Sequence, residues 1–257
     1  MKTYLLSAPF ETDRQQNVAL LCSQLPEIEL VDAIYPSKQK IPFINDIITV
    51  SAQRTGKALL LGEIGCLLSH RKIWQKILLA DAAEKAHFLI LESDSVLNMP
   101  AYFNTQNAAL ALSQKLNLTS SITSKQLNPQ IIEAHDLFFW GAWDGYMQLF
   151  QSTKQPLLQG FQYGEPFIKT IYCTYGYSLN KKAASMLLHK TKHIAYPVDQ
   201  FKRYLQQTDL KIGGVVPELI STCGSKSHIR EKKSFKLFNH LFLLLLTIKN
   251  KLICFFK

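Results

Sequence analysis

The 257-residue sequence has no CxxC pair: its five cysteines, Cys22, Cys66, Cys173, Cys223 and Cys254, are odd in number and widely spaced. That spacing excludes a zinc knuckle or a dithiol redox motif and reads as reduced, mostly buried thiols. Charged residues are sparse at 19% and hydrophobic ones make up 47%, which excludes a disordered chain and gives enough material for a sizeable core. No apolar run approaches the ~20 residues that a membrane-spanning helix needs. The greasiest, Leu241 to Ile248, stops at Lys249. The N-terminus lacks a signal-peptide core, because its short apolar stretch soon meets Glu11, Asp13 and Arg14. The expectation is a cytoplasmic protein.

Acidic residues are scarce at one end only. From Lys226 to Lys257, eight basic side chains face one acid, Glu231, which accounts for +7 of the net +10 and leaves +3 for residues 1–225. Charge confined to a tail, and interrupted there by leucines, argues against a nucleic-acid-binding domain. On a helical wheel Phe235, Phe238, Leu241, Phe242, Leu245, Ile248, Leu252 and Phe256 share one face flanked by lysines. This is the pattern of a helix lying in a membrane interface and held by anionic lipid. A C-terminal helix packed on the domain or on a second subunit is the alternative. The chain is therefore divided into a domain over 1–230 and a basic amphipathic tail over 231–257.

What is present reads as α/β. Residues 3–8 predict a buried strand, and the polar stretch after them opens a helix to about Leu25. A strand follows near Ile28 to Ile34, and residues 36–62 show no clear period. From Gly62, the residues Ile64, Leu67, Leu68, Trp74, Ile77 and Leu78 repeat at helical spacing. Residues 87–92 are a continuous apolar strand. Residues 117–130, rich in Ser, Thr and Asn, read as a surface loop or lid. Residues 131–143 and 168–179 look strand-like, Asn180 can cap the helix KKAASMLLHK, and Asp199 can cap QFKRYLQQ.

The strand over 87–92 ends in Glu92-Ser93-Asp94, two carboxylates at i and i+2 where a central strand opens into a loop. An acid-x-acid pair there suits Mg²⁺ or Mn²⁺ shared with the phosphates of a nucleotide. Acids also end many strands simply because loops are polar. The surrounding motifs settle the balance. GEIGCLLSHRKIW (62–74) followed by LILESDSVL, with Arg14 after the first strand, Asp32-Ala33, CTYGYSLNKKAASMLL (173–188) and YPVDQF (196–201), resembles glycosyltransferase family 25 over nearly all of residues 1–230. That family includes bacterial lipooligosaccharide galactosyltransferases.

The resemblance implies a GT-A-like, Rossmann-type nucleotide-sugar-binding fold. It also implies inverting, metal-assisted transfer of a hexose, galactose in particular, from a UDP-sugar to a glycan or glycolipid acceptor of lipopolysaccharide type. The acceptor would be presented at the cytoplasmic face of the inner membrane, where the tail would hold the enzyme. The family usually carries Glu-Asp-Asp where this chain has Glu92-Ser93-Asp94, so the outer two acids are left to bind Mn²⁺ or Mg²⁺. His228 stands where relatives tend to have aspartate and is a candidate third ligand, imidazole being a competent one. Arg14, Ser69, His70, Glu92, Tyr175 and Tyr177 are implied on the donor side. Asp199 is the candidate base that takes the acceptor's proton, with Glu63 and Asp144 as rivals and a helix cap as its bland alternative. Trp140 and Trp143 with Phe138 and Phe139 offer either a sugar platform or core. A non-catalytic, membrane-associated glycan-binding or scaffold protein of the same fold is the competing reading.

Overall fold

The computed structural model describes residues 1–25, 27–103, 129–143, 146–158, 160–224 and 237–256. Asp144, His228 and all but the end of the expected loop at 117–130 lie outside the described residues.

Strand β1 (Thr3–Ser7) leads into helix α1 (Gln15–Gln24), and β2 (Ile28–Asp32) returns parallel to β1. Helix α2 (Ile44–Thr55) occupies the stretch where no period was legible. Helix α3 (Leu61–Leu79) buries Ile64, Leu67, Trp74 and Ile77 of the apolar repeat, leaves Leu68 half-buried and Leu78 exposed, and feeds β3 (Phe88–Glu92), parallel to β1 on its other side. The short β4 (Ser95–Leu97) follows at once. Beyond it come β5 (Leu137–Phe139), the hairpin β6 (Gln155–Leu158) and β7 (Phe161–Gly164), then β8 (Gly176–Leu179) and helix α4 (Lys181–Lys190). Strand β9 (Ile212–Val216), the short β10 (Ile220–Thr222) paired with β4, and helix α5 (Leu237–Phe256) complete the described chain.

Eight strands form one mixed sheet in the order β2-β1-β3-β8-β5-β9-β7-β6, in which β7 and β8 run against the other six. Because strand side chains alternate between faces, each central strand feeds two cores. Tyr4, Leu6, Phe88 and Ile90 face α3 and α4, packing with Ile64, Leu67, Trp74, Ile77 and Leu187. Leu5, Leu89 and Leu91 face the other way onto Val18 and Leu21 of α1 and onto Phe138 and Trp140. A sheet covered on both faces is consistent with a Rossmann-like fold.

Two expected strands are shorter than their sequences suggest. Pro129–Glu133 forms a helical turn, so strand structure in 131–143 is limited to Leu137–Phe139. Residues Ile168–Thr170 close a 3₁₀ turn in which the Thr170 hydroxyl donates to the Phe167 carbonyl, and the strand begins only at Gly176. Asn180 does cap α4, accepting from the Ala183 amide at 3.0 Å. The helix expected after Asp199 is reduced to Phe201–Tyr204, its N-cap position is Gln200, and no side chain caps it.

Candidate functional site

The C-terminal ends of β1, β2 and β3 and the N-terminal approach to the antiparallel β8 meet at one edge of the sheet, and the polar residues expected from the sequence gather there. Arg14, at the start of α1, is buried with Glu11. Its Nη1 donates to Ser93 Oγ at 3.0 Å and lies 3.5 Å from Glu11 Oε1, while Nη2 lies 3.3 Å from Asp94 Oδ2. Ser93 in turn donates to Glu11 Oε2 at 3.1 Å, and the Tyr35 hydroxyl donates to Glu11 Oε1. Asn17 holds the turn itself, donating to the carbonyls of Ser93 and Ser95 at 2.9 Å each. Ser93, where the family usually has a carboxylate, is thus a neutral bridge between a buried acid and a buried guanidinium.

Glu92 is braced from behind. His70 Nε2 lies 3.3 Å from Glu92 Oε1, His70 Nδ1 lies 2.8 Å from the Tyr177 hydroxyl, and Trp74 Nε1 donates to that hydroxyl at 3.0 Å. The assignment that satisfies every group runs Trp74 to Tyr177 to His70 to Glu92, with the proton on Nε2. Thr174 donates to the same carboxylate oxygen. His70 and Tyr177 are fully buried, so both reach the site through Glu92. Burial opposes the Glu92 charge, but the His70 hydrogen bond, with Thr174 and Arg14, outweighs it and holds the carboxyl below its ordinary value.

Two adjoining clefts open here. The larger, about 400 Å³, is walled by Glu11, Arg14, Tyr35, Ser69, Leu60 and the Glu92–Asp94 turn. The smaller, about 210 Å³, is lined by Glu63, Thr174, Tyr175, Asp199 and Thr222. Cys66, Glu92 and Asp94 border both. Ser69 has a structural task beside the larger cleft, accepting the Ile34 amide and donating to the Gly65 carbonyl at 2.7 Å each. Glu63 is N3 of α3 and accepts the Leu60 amide at 3.0 Å, a capping arrangement. Tyr175 donates to Glu218 at 2.9 and 3.0 Å, a partnership sequence reasoning missed. It missed Glu11, which sits in no motif, and Thr174, which lies beside Tyr175 within the 173–188 motif but was not singled out there.

Asp94 is the uneasy member. Burial, and next the charge of Glu92, push its carboxyl up to about 6 against the pull of Arg14. Its Oδ1 is buried without a hydrogen-bond partner. Five carboxylates (Glu11, Glu63, Glu92, Asp94 and Asp199) line the two clefts against the single guanidinium of Arg14. A repelled, under-satisfied carboxylate in an acidic pocket is what a divalent cation relieves, so Glu92 and Asp94 fit Mn²⁺ or Mg²⁺. Cys66, His70 and Glu92 also bring ligand atoms within 4.8 Å of one another. Both His70 nitrogens are engaged, however, and burial first, with Glu92 next, pushes the Cys66 thiol well up, which disfavours thiolate ligation. The pushed-up thiol of Cys173, at about 12, responds after burial to Glu92 and then Asp199, which puts both acids electrically at the smaller cleft.

Residues 1–202 match the family model described as glycosyltransferase family 25 (LPS biosynthesis protein). No curated protein matches the chain.

Proposed function

The chain belongs to glycosyltransferase family 25, a family of lipopolysaccharide biosynthesis, and on that premise we propose that it moves a hexose, galactose foremost, from a UDP-sugar to a lipopolysaccharide-type glycan with inversion. The observation that carries this reading is the pair of clefts divided by Glu92 and Asp94. The larger lies within the ~300–1,000 Å³ range of small-molecule sites and sits at the carboxyl ends of strands, where α/β sheets bind nucleotides. With Arg14 in its wall it suits a nucleoside diphosphate. The smaller, with Asp199, suits the sugar and the incoming hydroxyl. Such a division also supports a GT-A-like arrangement.

Inversion requires the acceptor hydroxyl to attack the anomeric carbon from the face opposite the departing UDP. As that bond forms, the hydroxyl proton passes to a carboxylate. Asp199 is the favoured acceptor of that proton: it lines the smaller cleft and does not occupy the helix N-cap position. Glu63 is the rival, though one of its oxygens is engaged with the Leu60 amide. Arg14 steadies diphosphate charge, and His70, acting through Glu92, is a positioning residue that keeps that carboxylate ionised and oriented. A Mn²⁺ or Mg²⁺ ion held by Glu92 and Asp94, when bound, would neutralise charge on the leaving diphosphate. His228, outside the described residues, is a further candidate ligand.

The tail supports docking on the inner membrane. Helix α5 turns Asn250 and Cys254 inward, packs against the 151–153 turn, and leaves Leu244, Leu245, Ile248, Leu252 and Phe255 exposed along one stripe. Lys249 and Lys251 flank that stripe and suit anionic headgroups. Among the described residues no helix is long and apolar enough to cross a membrane.

Calorimetry with UDP, followed by UDP-galactose turnover with and without Mn²⁺, tests the assignment. Binding and metal-stimulated turnover are expected. A chain that binds no UDP is instead the non-catalytic scaffold.

A further inference from the structure

Trp74, Trp140 and Trp143 are the three tryptophans of the chain, and they divide sharply. Trp74 and Trp140 are 0% and 1% exposed, whereas Trp143 is 40% exposed. The segment that carries it was a candidate sugar platform, but Phe138, Phe139 and Trp140 belong to the core, leaving Trp143 to act with other partners. Its indole meets Tyr146 at 5.2 Å and Tyr172 at 5.7 Å between centroids, and the two tyrosines lie 5.4 Å apart. All three rings thus contact one another outside the core.

The arrangement is held against backbone preference. Trp143 has φ of +65° and Cys173, next to Tyr172, has +68°. For bulky or β-substituted residues that region is disfavoured, and such strain persists only where surrounding bonds over-determine it. Here the Trp143 amide donates to the Tyr175 hydroxyl, which is fixed by Glu218, and Glu218 also accepts the Ala142 amide at 3.1 Å. Tyr175 and Cys173 line the smaller cleft, so the ring cluster is anchored to that cleft's wall. On its far side Asn250 of α5 donates to the Tyr146 hydroxyl at 3.4 Å. Lys202 donates to the Tyr172 hydroxyl at 3.2 Å and lies 5.0 Å over its ring.

We propose that Trp143, Tyr146 and Tyr172, with Lys202, form an acceptor subsite that stacks a pyranose ring of the glycan next to the smaller cleft. The inference rests on the glycosyltransferase reading and specifies its acceptor side. The C–H face of a pyranose presents weakly positive hydrogens to the negative face of an aromatic ring, and the hydroxyls and the ammonium group supply polar contacts at its rim. A nucleobase would stack as well, but the cluster is anchored through Tyr175 and Cys173, which line the smaller cleft and not the larger. The position between α5 and the smaller cleft suits a glycan whose lipid end lies in the membrane on which α5 docks.

Because Trp143 is the one exposed tryptophan, its emission reports the subsite directly. The full chain is titrated with the deacylated core oligosaccharide of a bacterial lipopolysaccharide, alone and with saturating UDP. The expected result is a saturable emission shift in both series, absent in Trp143→Phe, with half-saturation raised about tenfold in Tyr172→Ala. No shift in the unmodified chain, or a shift abolished by UDP, overturns the subsite. UDP binding by calorimetry is scored separately: its absence defeats the glycosyltransferase reading, and its presence without an oligosaccharide response defeats only the subsite.

Discussion

Asp94 is pulled in two directions, and its protonation shows the conflict. Its folded-state carboxyl is raised from 3.8 to about 6 by burial and by Glu92, so between those values the folded protein holds a proton that the unfolded chain releases. Stability contributed by Asp94 therefore falls as pH rises through that window and is lost above it. Asp94→Asn is expected to stabilise the protein at pH 7.5 by on the order of 1–3 kcal/mol, read as a higher Tm, while reducing UDP-galactose turnover at least about 100-fold. If transfer needs ionised Asp94, kcat/KM rises through pH 6 and levels above it. His70 tests the brace. Removing its hydrogen bond lets burial raise the Glu92 carboxyl, so in His70→Ala the acidic limb of the pH profile moves upward. The same variant loses stability on the order of 2–3 kcal/mol because the Tyr177 hydroxyl and a cavity are left behind. An unmoved limb with lower stability would reduce His70 to packing. Much of this constellation was legible: Glu92, Asp94, Arg14, Ser69 and His70 all converge on the larger cleft or on the acids that wall it. Glu11, Thr174 and Glu218 were not, because their importance comes mostly from partners distant in sequence: Ser93 for Glu11, beside its nearer contacts with Arg14 and Tyr35, Glu92 for Thr174, and Tyr175 for Glu218.

Among the elements, α3 does the most to place the site, and it does so by lying unusually close to the chain after β2. A Cβ on Gly65 would meet the Ile34 carbonyl at 2.4 Å and the Pro36 ring at 2.7 Å. Gly65→Ala must push the helix outward, and with it Ser69 and His70. A loss of about 1–3 kcal/mol is expected, measured by urea unfolding, together with weaker UDP binding. The contact explains why helical periodicity found α3 so clearly yet could not say which strand-end it would serve. Helix α2 escaped the sequence reading for a different reason. It is mostly surface: Ile44, Ile47 and Ile48 pack half-buried against the core, but their stripe is short and gives way to Ser51, its buried residue. The C-terminal helix was legible as amphipathic, and the structure adds which side is taken. Replacing Leu245 and Ile248, both exposed, by glutamate should leave the fold and soluble-acceptor turnover intact while abolishing co-sedimentation with phosphatidylglycerol vesicles. Retained sedimentation would place the membrane contact elsewhere.

For the whole molecule, the arrangement is one of convergence. Three parallel strand-ends, the entry to an antiparallel strand and the start of α3 bring carboxylates from four separate segments to a common edge. The sheet alternation and the motif order made the α/β class and that edge readable. The reversal of β8, which turns Thr174 and Tyr175 toward the same edge as Glu92, depends on pairings that no local pattern encodes. The most direct test is UDP-galactose turnover by the purified full chain with and without Mn²⁺, set beside Asp94→Asn. Turnover stimulated by the metal and lost in Asp94→Asn is expected. Metal-independent turnover that survives Asp94→Asn would contradict a donor site centred on Glu92 and Asp94.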